Sequence, residues 1–342
     1  MNILITGSSG LIGSEAVVYF DSLGHKIWGI DNNMRRKFFG PNGDTNWNLN
    51  RLRKITTNFQ HIDMDIRDRT GIFELFKKHK FEMVIHCAAQ PSHDKAQEIP
   101  LIDFDINAGG TINLLEATRQ YSAEAIFILM STNKVYGDTP NRIKLIELPK
   151  RWEYALPKDY NGIDENCSLD HSLHSLFGAS KAAADIVAQE YGRYYGMNIG
   201  IFRGGCLVGP SHSGVKLHGF LSYLVKVAVS GEQYTILGYK GKQVRDQIHS
   251  YDVVRAIEEF SKNPSHGEAF NLGGGRNNSA SILESIELIE EILTRKVNWS
   301  YTDLNRRGDH ICYISNLNKF KTAYPNWNIT RTLDSIIKEL IE

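Results

Sequence analysis

An excess of either charge is missing from this sequence: 39 Lys+Arg face 39 Asp+Glu among 342 residues, for a formal net charge of zero. A general nucleic-acid binder, which needs a basic excess to engage phosphates, is thereby disfavoured, although a local arginine cluster is not. Long apolar runs are missing too. The stretch 125–130 is typical of the longest, far short of the ~20 residues that span a bilayer, so neither nucleic acid nor membrane is expected as a partner. Met1-Asn2-Ile3-Leu4-Ile5-Thr6-Gly7 shows no basic n-region and no cleavage pattern, and a cytoplasmic protein is expected. Cysteine is scarce. Cys87, Cys167, Cys206 and Cys312 are scattered without metal-ligand spacing, which predicts reduced thiols and no metal centre. Internal repeats and low-complexity segments are absent as well.

What remains is an ordinary globular mixture, 42% hydrophobic and 23% charged, with ample material for a core. At roughly 150 residues per domain, the length suggests about two domains. Runs dense in Ile, Val, Phe and Met at residues 2–7, 26–31, 59–65, 83–89, 125–131 and 198–205 read as strands buried on both faces. Helical periodicity fills residues 11–23, 71–80, 110–121 and 180–195. Strand and helix in alternation predict an α/β fold with a doubly wound parallel sheet. Residues 1–205 are assigned to a Rossmann cofactor domain, with a return segment near 246–272. Residues 206–342 are assigned mainly to a smaller C-terminal cap over the carboxyl ends of the strands, where such sheets bind ligands. The connection 138–170 holds Pro140, Pro149, Pro157, Trp152, Tyr154 and Tyr160. Its length and aromatic content read as a binding or interface element.

Gly7-Ser8-Ser9-Gly10-Leu11-Ile12-Gly13 follows the first strand and opens the first helix. Gly7 permits the tight turn, Gly10 lets backbone approach a pyrophosphate, Gly13 allows close helix–strand packing, and the helix N-terminus offers N–H groups to the anion. Glycines also serve plain turns, but here a second strand ends on an acid, Asp31. That carboxylate suits the ribose hydroxyls of NAD and repels the 2′-phosphate of NADP. Arg35 and Arg36 lie nearby and act against that preference.

The G-x-x-G-x-x-G spacing resembles that of the extended short-chain dehydrogenase/reductase superfamily, whose members mostly rework nucleotide-sugars. Further likenesses follow in order along the chain. Asp65-Ile66 resembles the adenine-contacting pair, and Cys87-Ala88-Ala89-Gln90 the turn after the fourth strand. Asn107-Ala108-Gly109-Gly110-Thr111 resembles the family's helix start, and Ser131-Thr132-Asn133-Lys134-Val135-Tyr136-Gly137-Asp138 its active-site strand end. The resemblance implies NAD as cofactor. It implies contacts from Gly7, Gly10, Leu11, Ile12, Gly13, Asp31, Asn32, Asp65, Ile66, Ala88, Ala89, Gln90, Asn107, Ser131 and Lys181.

In this superfamily a Tyr-x-x-x-Lys pair on one helical face does the acid/base work, the lysine lowering the phenol's pKa, and a Ser or Thr hydroxyl assists. By position Thr132 is that hydroxyl and Lys181 that lysine, but Phe177 stands where the tyrosine belongs. Phenylalanine cannot transfer a proton. A deliberate Tyr→Phe change that traps a complex would explain this. So would another acid/base, with His174, Tyr136, His93 or a water on Lys181 as candidates, and so would binding without turnover. His174 reads equally as a helix N-terminal contact. Asn133 and Lys134 stand where the family's 4,6-dehydratases carry Asp-Glu, so elimination is disfavoured, and epimerisation or reduction remains.

Residues 131–138, the run Tyr160-Asn161-Gly162-Ile163-Asp164-Glu165 and Gly241-Lys242-Gln243-Val244-Arg245-Asp246 are most similar to the family's branch of 2-epimerases acting on CDP-linked deoxysugars. That likeness implies transient oxidation at C2, a change of face and re-reduction, in the service of surface polysaccharide. A nucleotide-sugar 4-epimerase or ketoreductase is the alternative enzyme. A non-catalytic NAD(H)- and sugar-nucleotide-binding protein is the alternative from another class. Substrate contacts are expected from Asn133, Cys206 (where many relatives have Asn), Lys242, and the diphosphate-binding Arg245 and Arg306, whose planar forks suit phosphate oxygens. The plain reading of each arginine is a surface salt bridge. Ser211, His212, Ser213, Gly214 and His218 are candidates for the sugar pocket. The 180–195 helix with that at 107–121 resembles the superfamily's four-helix seam, implying a homodimer or homotetramer.

Overall fold

The computed structural model describes residues 1–215, 218–305 and 308–342. The expected apolar runs form β1 (Asn2–Thr6), β2 (Lys26–Ile30), β3 (Phe59–Ile62), β4 (Met83–His86) and β5 (Ile126–Thr132). A hairpin of β6 (Leu145–Glu147) and β7 (Trp152–Tyr154) precedes β8 (Ile199–Gly204). Then come β9 (Cys206–Val208), β10 (Tyr234–Leu237), β11 (Val244–His249) and β12 (His266–Leu272). Seven strands join in one parallel sheet in the order β12-β8-β5-β4-β1-β2-β3. The order reverses between β1 and β4, which opens a ligand crevice at their carboxyl ends.

Alternation along the strands divides the core into two layers. Ile3, Ile5, Ile128 and Phe202 face one side and pack with α1 (Leu11–Ser22) and α10 (Ser250–Lys262), as through Phe20 and Phe260. Leu4, Val84, Phe127, Leu129 and Ile201 face the other. They meet α4 (Arg69–Lys78), α7 (Gly110–Tyr121) and α8 (Ser175–Tyr195). Between β2 and β3 lie α2 (Met34–Phe39) and α3 (Asn46–Ile55). After β4 come α5 (His93–Glu98) and α6 (Pro100–Phe104), and a π-helical turn (Asp105–Gly109) runs into α7. The cap has its own core, formed by β10, α9 (Phe220–Ser230), α11 (Ile282–Leu293) and α13 (Leu333–Ile341), and centred on Leu224, Ile236, Ile289 and Ile336. β11 pairs with β9, with β13 (Ser279–Ser281) and with β15 (Cys312–Tyr313). β14 (Trp299–Thr302) pairs with β10, and α12 (Asn318–Ala323) lies on the β12 side of the main sheet.

Of the two roles expected of the 138–170 connection, the contacts are those of an interface element: it braces the seam, and none of its residues lines the cavity described below. Trp152 N–H donates to the Lys242 carbonyl at 2.9 Å, Ile163 bridges Ser315, and Asn271 donates to the Ile163 carbonyl at 2.9 Å. Beneath the seam, Arg203 on β8 donates to both oxygens of Asp185 on α8 at 3.0 and 2.8 Å. Ser131 Oγ donates to the same carboxylate at 2.5 Å, and Arg203 also reaches the Tyr136 hydroxyl at 3.0 Å. Breaking a buried ion pair by removing one partner strands the other charge. Arg203→Leu is therefore expected to lower the unfolding free energy by ~3–5 kcal/mol, read from urea denaturation; a loss within experimental error would show that the pair is not needed for stability.

Candidate active site

A cavity of about 490 Å³ runs from the first glycine turn, past the end of β5, to β11 in the cap. Its first half has the shape a dinucleotide needs. Gly7 has φ +66°, and a Cβ there would lie 2.9 Å from the Ala88 nitrogen. A Cβ on Gly13 would lie 2.1 Å from the Gly7 oxygen. No side chain caps the N-terminus of α1, so its backbone donors face the cavity without an internal competitor. Asp31 accepts from Ser9 N–H at 3.0 Å and Asn33 N–H at 2.8 Å, which holds its carboxylate at the cavity wall. Asn32 donates to Asp65 at 3.1 Å, and the Arg67 guanidinium holds the Asp65 carboxyl below its usual range. Leu11, Ile12, Ile66, Ala88, Ala89 and Ser131 complete the expected lining. These residues fit NAD.

Two expected cofactor contacts lie elsewhere. Gln90 and Asn107 are buried behind the wall and bond to each other: Gln90 N–H donates to Asn107 Oδ1 at 2.9 Å, and Asn107 Nδ2 donates to the Gln90 carbonyl at 3.1 Å. The π-helical turn aims Asn107 at this strand end, and Ser180 Oγ lies 3.0 Å from Asn107 Nδ2. They set the turn that carries Ala88 and Ala89. The arginines beside Asp31 are both engaged. Arg35 donates to the Ser213 carbonyl at 2.8 Å, and Arg36 pairs with Asp44 at 3.0 Å. Burial pushes Arg35 down to about 10, against the opposing field of Asp31. Trp47 also donates to Ser213 and Arg51 to Ser211, so residues 211–213 clasp α2 and α3 rather than belonging to the sugar side alone. Ser211, His212, Ser213 and His218 line the cavity there, whereas Gly214 does not.

At the middle of the cavity stand Thr132, Asn133, Phe177 and Lys181. The i,i+4 spacing on α8 brings Phe177 and Lys181 to one face, as expected. Lys181 Nζ donates to the Met130 carbonyl at 2.8 Å, and burial pushes its pKa down to about 8, partly offset by Asp185. The Phe177 ring meets His93 edge to face at 5.0 Å. Of the proposed replacements for tyrosine, His93 and Lys181 line the cavity; His174 and Tyr136 do not. His174 is held by the carbonyls of Ser172 and Val135 at 3.0 and 2.8 Å and makes no side-chain hydrogen bond to the N-terminus of α8, so its ring serves neither as a helix cap nor as a group facing the cavity. Tyr136 is fully buried against Asn271 and Arg203, and burial raises its phenol pKa.

The substrate half contains one cation that motif matching passed over. Lys134 lines the cavity with its side chain 15% exposed. Its Nζ donates to the Gly308 carbonyl at 3.1 Å and lies 3.5 Å from Asp309. Burial pushes it down to about 8, with Asp309 opposing and Arg245 reinforcing. A lysine two residues after Thr132 was the available signal. Cys206 and Arg245 face the same space; Arg245 donates to Asp309 at 2.5 Å, and burial pushes the Cys206 thiol up to about 11. Lys242 is absent from the cavity lining and pairs with Glu147 at 2.7 Å; it lies before β11, at the end of the turn Tyr239–Gly241. Arg306 lies outside the described residues. Among the described residues, no group of three His, Cys, Asp or Glu could hold a metal ion, and no helix is long and apolar enough to cross a membrane.

Residues 3–273 match the family described as the NAD dependent epimerase/dehydratase family. Over 331 residues the chain is 34% identical to CDP-paratose 2-epimerase of Salmonella typhi, covering 94% of this chain and 93% of that protein. It superposes on UDP-glucose 4-epimerase of Thermotoga maritima, solved with UDP-glucose, at a TM-score of 0.79 and 25% identity, covering 100% of this chain and 97% of the other. Against dTDP-glucose 4,6-dehydratase of Bacillus anthracis str. Ames, solved with NAD, the TM-score is 0.77 at 24% identity, covering 100% and 95%.

The glycine turn yields a direct test. Gly13→Ala drives a Cβ into the Gly7 carbonyl and is expected to weaken NAD binding by roughly tenfold or more, measured by isothermal titration. An unchanged Kd would mean that this turn is not the pyrophosphate cradle.

Proposed function

The chain belongs to the NAD dependent epimerase/dehydratase family, within the extended short-chain dehydrogenase/reductases, and on that footing we propose that it inverts C2 of a CDP-linked deoxysugar. The observation that carries a nucleotide-sugar epimerase is the single cavity joining the dinucleotide turn, Thr132 with Lys181, and Arg245. The finer assignment, CDP and C2, is supported by the likeness to CDP-paratose 2-epimerase over 94% of the chain. In this reading residues 1–205 with a return segment near 246–272 carry the cofactor, and residues 206–342 mainly the substrate. The exposed apolar residues Leu101, Phe104, Ile112 and Ile186 on α6, α7 and α8 form the face we assign to a homodimer seam.

NAD, when bound, supplies the reversible two-electron acceptor. The chain's own residues hold the proton and the orientation. Thr132 Oγ1 orients the sugar hydroxyl, and Arg245 anchors the diphosphate after exchanging its Asp309 contact for phosphate oxygens. Phe177 cannot carry a proton, so the hydroxyl proton is held at Lys181 Nζ. Lys181 suits this better than Lys134 because its nitrogen donates to a carbonyl, whereas Lys134 also sits beside the Asp309 carboxylate, which favours the ammonium. Asn133 and Lys134 offer no carboxyl for elimination. Binding without turnover is the second reading, favoured by Phe177 itself.

Single-turnover mixing with CDP- and UDP-sugars separates these readings. A transient NADH absorbance with an epimer returned, inverted at C2 by NMR, is the expected result. Net NADH consumption would make the chain a ketoreductase, and tight binding with unchanged sugar would support the non-catalytic reading. Neutral Lys181 is the proton acceptor, so turnover should rise as pH climbs through about 8 and level off above it. Phe177→Tyr should restore a phenol beside Lys181 and raise turnover by roughly 10²–10⁴-fold; no increase would show that Phe177 does not merely disable an ordinary site.

A further inference from the structure

Three polar side chains share one face of the run that enters β11. Residues two apart along a strand point the same way, and Gln243, Arg245 and Gln247 all line the cavity. Asp246 turns to the opposite side and accepts from the N–H groups of Gly275 and Ser315 at 3.0 Å each. Arg245 has its partners, the Val244 carbonyl and Asp309. Gln243 Nε2 donates to the Leu237 carbonyl at 3.0 Å, which leaves its Oε1 as an acceptor without a partner among the described residues. Gln247 is more exceptional. It is only 1% exposed, yet neither its Nε2 nor its Oε1 has a partner among the described residues. Buried amides are normally paired, because an unpaired one forfeits its hydration for nothing.

The direction of β11 gives these residues an order. Gln243 lies at the cap end, bonded to β10, and Val244 pairs with Ser281 at the start of α11. Gln247 lies at the other end, paired with Cys206 just after the main-sheet strand β8. At about 3.3 Å per residue, Gln247 is roughly 7 Å beyond Arg245 toward the main sheet, and Gln243 is as far the other way. A nucleotide sugar anchored at Arg245 by its diphosphate therefore places its sugar toward Gln247, beside Cys206, and its nucleoside toward Gln243.

We infer that Gln247 is a specificity-determining residue that reads one hydroxyl of the sugar. The inference rests on the nucleotide-sugar reading given above. A carboxamide fixed at a cavity wall offers a donor and an acceptor together. A hydroxyl answers both, whereas a carboxylate answers only the donor, an ammonium only the acceptor, and a deoxy carbon neither. A site built in this way rejects the analogue that lacks the hydroxyl, since the amide is then left buried and unpaired.

Calorimetric titration of the full chain with CDP-glucose, UDP-glucose and the corresponding CDP and UDP tests this. In Gln247→Met, a variant of similar length without hydrogen-bonding capacity, the affinity for the sugar nucleotide should fall roughly 10- to 100-fold. Affinity for the nucleoside diphosphate alone should not change. Thermal stability of the unliganded variant should equal or exceed the wild type's, because an unsatisfied amide has been removed; a residue that merely supports the fold would lower it. Independently of any variant, wild-type protein should lose affinity for CDP-glucose deoxygenated at one ring position and retain it at the others, a preference absent from Gln247→Met. Equal sugar-to-diphosphate affinity ratios in wild type and variant would overturn the role of Gln247 and leave the nucleotide-sugar reading standing. Failure of the wild type to bind any of the four nucleotides would overturn that reading and the inference with it.

Discussion

The buried pair between Arg203 and Asp185 is the interaction on which the site depends, because it fixes one edge of the chemistry to the other. Asp185 lies one helical turn beyond Lys181, and Arg203 lies on β8, beside the strand end that carries Ser131 and Thr132. Ser131 donates to the same carboxylate, so helix, neighbouring strand and active-site strand converge on two oxygens. Burial makes such a pair expensive to break singly, which turns an electrostatic contact into a positional constraint. Lys181 inherits that constraint. Its ammonium is desolvated enough to approach neutrality, and the Asp185 field keeps the depression in bounds.

The neutral composition conceals how unevenly charge is used. On the exposed surface, Lys77 with Glu74 and Lys338 with Asp334 are solvent-screened pairs of small consequence. Inside the cavity Lys134, Lys181 and Arg245 stand between Asp309 at one end and Asp31, Asp65 and Arg35 at the other. An anion entering between them meets three cations in a low-dielectric space, where each contact counts for more than it would in water. Asp309, bonded to Arg245 and close to Lys134, holds the anion position in the unliganded chain. In the proposed reading diphosphate binding exchanges one anion for another, which limits the cost of keeping the pocket charged while empty.

Most of the main sheet was legible because six of its strands are dense apolar runs, the pattern that burial on both faces imposes. The seventh, β12, carries His266, Gly267, Glu268 and Asn271, so its place at the sheet edge comes from tertiary pairing with β8 that no local pattern announces. The glycine turn was legible for a different reason: Gly7 and Gly13 meet backbone so closely that no other residue fits. Motif likeness misled where a side chain's partner is another motif residue. Gln90 and Asn107 satisfy each other, and His174 is consumed by two carbonyls, so position in a motif did not translate into contact with the cavity. Lys242 failed for another reason: it closes the turn before β11, where its ammonium is taken by Glu147, a partner distant in the sequence that no local pattern announces.

Alternation along β11 links recognition to the chemistry at the end of β5. In the proposed reading Phe177 removes the phenol that would otherwise fix a sugar oxygen between Thr132 and Lys181, so ligand orientation falls more heavily on contacts from the cap. β11 is placed to provide them: its inward face begins in the cap and ends against β9, immediately beyond the main sheet. A rigid strand is better suited than a loop to hold groups at fixed intervals. Whichever group moves the proton, a ring whose ketone must present its other face can turn only if it is held at its diphosphate and released at its carbon skeleton. In the proposed reading Arg245 as anchor, with polar contacts spaced on either side of it, permits that, whereas a cage closed on every hydroxyl would not.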